Sequence, residues 1–152
     1  MSTITESIAS TLNDLVEICK DGQEGFRNAA ENVQNADYKS LFNELSMQRQ
    51  QYFTELQSLI HGLGEGVDKS GSIAGALHRG WIELKSAITS GDEHAILAEC
   101  ERGEDSAVVA FGDAFDKKNL PPNIENVVRR QLMGVQAAHD RVRDLRDRTA
   151  KS

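Results

Sequence analysis

Apolar residues recur every three or four positions through most of this chain, and that spacing constrains the fold more than any other feature. Over residues 3–34 the series is Ile4, Ile8, Leu12, Leu15, Cys19, Gly22, Phe26, Ala29 and Val33. Such a repeat draws one apolar stripe along one long helix. The segment 34–37, QNAD, breaks it and offers Asp37 as an N-cap. A second helix over 38–61 carries Tyr38, Phe42, Leu45, Arg49, Tyr52, Leu56 and Leu59 on its stripe. Residues 61–72 hold four glycines without periodicity and read as a loop.

A shorter helix follows over 73–89, with Ile73, Leu77, Trp81, Leu84 and Ile88 on one side. Gly91 then stops one helix and Asp92 caps the next, over 93–117. Two adjacent prolines, Pro121 and Pro122, open the last helix, which runs to about 149. Its seam is Ile124, Val128, Gln131, Val135, Ala138, Val142 and Leu145. Four long helices with a short one between the second and third long ones describe an all-α, ferritin-like four-helix bundle with a short extra helix in the long crossover. An irregular five-helix bundle is the competing topology. With 152 residues and no internal repeat, 1–152 is read as one domain.

Composition narrows the function classes. A net charge of −7 argues against nucleic-acid binding, which needs a basic surface. The arginines of 141–148 do not make a basic tail, because Asp140, Asp144 and Asp147 interleave with them at helical pair spacing. No apolar run reaches the ~20 residues of a membrane span. The N-terminal residues lack the basic and apolar regions of a signal peptide, so the expected compartment is the cytoplasm. Cys19 and Cys100 form neither a disulfide framework nor a zinc spacing, and both fall on apolar stripes as small buried hydrophobes.

The segment 98–111, AECERGEDSAVVAF, concentrates four acids. Leu97, Glu101, Glu104, Val108, Phe111 and Phe115 step by fours and threes, which turns Glu101 and Glu104 inward. Glu99 and Asp105 then point to water. A neighbouring stripe, Ile96, Cys100, Gly103, Ala107, Ala110 and Ala114, is mostly small and suits close helix approach. Inward carboxylates need a cationic partner or a metal. The favoured arrangement is a buried polar network of Arg49, Glu101, Glu104 and Gln131, in which one guanidinium serves two carboxylates. The alternative is iron or another divalent metal held by Glu101, Glu104 and His139 in an oxidoreductase. The ligand pattern of di-metal bundles, a Glu-x-x-His on each of two helices, is met poorly: Gln136 stands three before His139, and Met47 stands three after Glu44. No metal and no cofactor is therefore expected.

His78, Trp81 and Lys85 share one face of the short helix. They suggest a small ligand pocket of His78 and Trp81 over the bundle end. The favoured reading is structural: Trp81 plugs the crossover helix onto the bundle. His61, His94 and His139 stand in no ligand spacing with one another.

Several stretches together carry a resemblance: DGQEGF at 21–26, AAE at 29–31, Arg49 with Phe53, HRGWIELK at 78–85, ECERGED at 99–105 and HDRVRDLRD at 139–147. Across nearly the whole chain these resemble a bacterial family of ferritin-like four-helix bundles of unknown function. The resemblance implies the same bundle fold and association as a homo-dimer or higher oligomer. It brings no activity with it, since fold does not carry function. The expected role is a non-enzymatic structural or interaction protein with an unknown protein partner, and by analogy a stress-related one.

Overall fold

The computed structural model describes residues 3–64, 81, 83–117 and 119–150. They form α1 (Thr3–Asn32), α2 (Ala36–Gly62), α3 (Leu84–Ser90), α4 (Glu93–Asp116) and α5 (Pro122–Ala150). No strand occurs among the described residues. None of their helices is long and apolar enough to cross a membrane. The architecture is the all-α, ferritin-like bundle.

The boundaries follow local chemistry. Asn35, not Asp37, caps α2: its side-chain oxygen accepts from the Asp37 and Tyr38 amides at 2.8 and 3.1 Å, so the helix starts two residues early. Asp92 caps α4 by accepting from the amides of His94 and Ala95. Gly91 ends α3 at φ 72°, a left-handed conformation that costs glycine nothing. Pro122 is the first residue of α5, where its missing N–H is not needed. The expected short helix is seen only as α3; residues 73–80 and Ile82 lie outside the described residues, as does most of the glycine loop.

The helix α1 packs along α2 and α4, α5 packs along α4 and meets α2, and α3 lies on α4 and touches α1. The enclosed core has two apolar clusters. One gathers Leu12, Leu15, Cys19, Leu56, Ile60, Phe111, Val128 and Val135. The other gathers Phe26, Phe42, Leu45, Ile96, Leu97, Cys100, Ala138 and Val142. Gly22 lies between the two sets on α1, Arg49 on α2 and Glu104 on α4, all three buried. A polar layer therefore divides the hydrophobic core.

The phase of α4 differs from expectation. Its buried face is Ile96, Leu97, Glu99, Cys100, Gly103, Glu104, Ala107, Phe111 and Ala114. The small-residue stripe faces inward, because helices approach more closely over Gly and Ala. Glu101, Val108 and Phe115 move to the flank, half-buried.

Candidate functional site

Arg49 and Glu104 form a two-pronged ion pair at the centre of the polar layer. One terminal nitrogen donates to Oε1 and the other to Oε2, each at 2.5 Å, and neither side chain has any exposed surface. Nε of Arg49 donates to Gln48 Oε1 at 3.2 Å. The guanidinium lies 5.5 Å from the Phe26 ring centroid, within cation–π range. Burial works against its charge, but Glu104, by charge and hydrogen bond, outweighs that and holds the Arg49 pKa above its ordinary value. Gly22 leaves the room: a Cβ there would lie 3.2 Å from an Arg49 terminal nitrogen.

Trp81 covers this layer from outside. Its indole lies in a cradle of two glycines, one from each flanking helix. A Cβ on Gly25 of α1 would come within 2.4 Å of the ring, and one on Gly103 of α4 within 2.2 Å. The ring also meets Phe26 edge-on, with centroids 5.1 Å apart. Trp81 is thus packed between α1 and α4. His78, the other residue of the expected pocket, lies outside the described residues. The glycines of the EGF and ERGED stretches were visible in the sequence, but their role needs the crossover to be placed against them.

The remaining acids separate from the pair. Glu99, expected in water, is 2% exposed. Its carboxylate accepts from the Glu83 amide at 2.6 Å and pairs with Arg102 at 3.2 Å. The segment preceding α3 folds over it, a tertiary contact that helical phase does not reveal. Glu101 does not reach Arg49; it bonds Arg146 of α5 and stands 3.6 Å from His139 Nε2. Gln131 is buried but donates to Glu55 Oε1 at 2.8 Å and to the Tyr52 carbonyl at 3.3 Å, one to two turns along α2 from Arg49. Of the four expected network residues, the geometry brings together two.

A second cluster lies where α4 meets α5. His139 Nε2 stands 2.6 Å from Asp105 Oδ1, and Nδ1 stands 3.0 Å from Asp140 Oδ1. Burial opposes charging of the ring, but the hydrogen bond to Asp140 and the charge of Asp105 outweigh it, so the His139 pKa is raised. Asp105 is exposed to water as expected, and it is also a partner of His139. Asp140 also belongs to the self-paired face that the spacing predicts, lying 3.5 Å from Arg143. That face is not only self-paired: Arg141 reaches Glu44 of α2 and Arg146 reaches Glu101 of α4.

A ferritin-like bundle raises the question of a core metal centre. The residues do not fit one. Glu104, the inward carboxylate of α4, has both oxygens on Arg49, and a fixed guanidinium stands among the groups where a cation would be coordinated. The ligand set of the alternative reading, Glu101, Glu104 and His139, is divided between the core and the α4–α5 flank.

Comparison with known proteins agrees with this picture of the fold. A family model described as a domain of unknown function, DUF2383, matches residues 7–117. No curated protein matches the sequence. Among solved structures, a point mutant of Dps1 from Mycobacterium smegmatis is similar, with a TM-score of 0.74 over 95% of this chain and 98% of that one. The two are 12% identical in sequence, so the likeness is one of fold.

Proposed function

The chain belongs to the DUF2383 family of domains of unknown function, and we propose that it is a non-enzymatic bundle protein that works by protein association. Copies of itself are the first partners to consider. The observation that carries this reading is the Arg49–Glu104 pair, which fills the core with a fixed cation of the protein's own. A guanidinium held by two hydrogen bonds to Glu104 and a third to Gln48 offers no open coordination position. The net charge of −7 speaks against a nucleic-acid partner. Large apolar side chains on the outside, Met47, Val109 and Met133 at 62–67% exposure, are the first places to seek a contact between copies.

Two measurements test this. Light scattering of the purified, untagged protein is expected to give a dimer or larger, and a monomer at all concentrations would remove self-association. Challenge with ferrous iron under air is expected to give no catalysed oxygen consumption. Turnover that disappears in Glu104→Gln, with the helical spectrum retained, would overturn the closed-core reading and favour the oxidoreductase.

A further inference from the structure

We propose that Glu101, Asp105 and His139 form a binding site for one divalent first-row transition-metal ion at the α4–α5 flank. Each offers one ligand atom, and these atoms lie within 4.8 Å of one another. The placement follows from helix geometry. Glu101 and Asp105 are four apart, one turn above the other on the same face of α4. His139 enters from α5, which packs along α4, and its Nε2 points between the two carboxylates at 2.6 Å from Asp105 and 3.6 Å from Glu101.

The supporting shell distinguishes this from a surface acidic patch. Nδ1 of His139 is 3.0 Å from Asp140, whose carboxylate also accepts from Gln136. A carboxylate behind the far nitrogen of a histidine fixes the tautomer and aims the other nitrogen at a metal. Arg146 holds Oε1 of Glu101, leaving Oε2 as the oxygen nearer His139. His139 and Glu101 are each 12% exposed, whereas Asp105 is 59% exposed. The bases of the site are therefore held by packing, and its outer side is open for water to complete a coordination shell. Among the described residues Arg146 pairs with Glu101 and Arg143 lies 3.5 Å from Asp140, so Asp105 has no guanidinium of its own among the ion pairs and is balanced by His139. One imidazole with two carboxylates suits zinc, iron or manganese better than magnesium or calcium, because imidazole is a softer donor. A bound ion replaces the proton shared between Nε2 and Asp105 and staples α4 to α5 one turn or less from Glu104.

This site is independent of the core reading. The test uses the full chain stripped with chelator, titrated calorimetrically with zinc and spectroscopically with cobalt. One equivalent per chain is expected, with a cobalt absorption band and a higher melting temperature when zinc is present. Asp105→Asn and His139→Gln are expected to weaken binding at least ~100-fold, and Asp140→Asn by ~10–100-fold as for other outer partners of metal-bound histidines. Asp105 is exposed, so its variant keeps the fold and serves as the control against misfolding. Absence of a stoichiometric zinc equivalent, or zinc binding unchanged in both Asp105→Asn and His139→Gln, overturns the proposal.

Discussion

Replacing Arg49 by methionine removes a charge but keeps much of the side-chain volume, so the cavity term stays small. What remains is the Glu104 carboxylate, fully buried and stripped of both its hydrogen bonds. Breaking such a pair from one side costs about 3–5 kcal/mol, because the orphaned charge cannot recover its hydration. In a domain of this size each kcal/mol moves the melting temperature by roughly 2–4 °C. The single variant is therefore expected to melt roughly 6–20 °C lower. Glu104→Leu alone should cost a similar amount through the stranded guanidinium. The double variant Arg49→Met/Glu104→Leu removes both charges and fills the layer with apolar atoms. Replacements of that kind range from neutral to about 1–4 kcal/mol stabilising, so it should recover most of what either single change loses. Urea unfolding followed by helical circular dichroism measures all four proteins, and the cycle yields the coupling energy. A single-variant cost below about 1 kcal/mol would refute the argument; so would a double variant whose loss equals the sum of the singles.

Three further outcomes follow from the packing. Gly103→Ala pushes a methyl group to within 2.2 Å of the Trp81 indole; overpacking should cost ~1–3 kcal/mol, and because the chain has one tryptophan, its emission should shift red, an unshifted spectrum counting against the cradle. Asp92→Ala removes the cap of α4 and should cost about 1 kcal/mol, measurable by thermal melting. Burial pushes the Cys19 thiol up to about 12, against an ordinary value of 9.0, and raises Cys100 as well. Both should resist a thiol reagent at neutral pH until the protein is unfolded. A thiol whose folded pKa exceeds its unfolded one contributes stability present below the unfolded value and lost as pH rises toward the folded one. Stability should therefore fall between pH 9.0 and about 12, and less steeply in Cys19→Ala/Cys100→Ala; identical alkaline slopes would exclude the thiols as a source.

The helices were legible because each writes its own period. Gly91, Asp92 and Pro122 mark their boundaries by local backbone chemistry, which needs no knowledge of the rest of the chain. Asn35 shows the limit of that reasoning, since Asp37 has the same capping ability two residues on and only the hydrogen bonds choose between them. Arg49 and Glu104 could be read as inward because each interrupts an apolar stripe. Glu101 sits on the same stripe by spacing, yet a small rotation of α4, driven by its Gly and Ala residues, moves it to the flank. Glu99 and the Trp81 cradle depend on how the crossover lies on the bundle, and contacts between segments distant in sequence leave no periodic signal.

The pair also has a consequence for specificity that stability alone does not capture. An all-apolar bundle can slide or rotate its helices at small cost, because one methyl group replaces another. Two fixed hydrogen bonds between α2 and α4 admit one register, and Gly22 leaves space for Arg49 at one height on α1. The two apolar clusters on either side are thereby kept in step. If the pair sets register, Arg49→Met/Glu104→Leu should keep its stability yet lose uniqueness. The amide spectrum of that variant should broaden or double for α2 and α4 residues while helicity is unchanged. A spectrum as sharp and single as the wild type's would show that packing of the two clusters fixes register without the ions, as it does in some proteins whose buried ion pairs have been replaced.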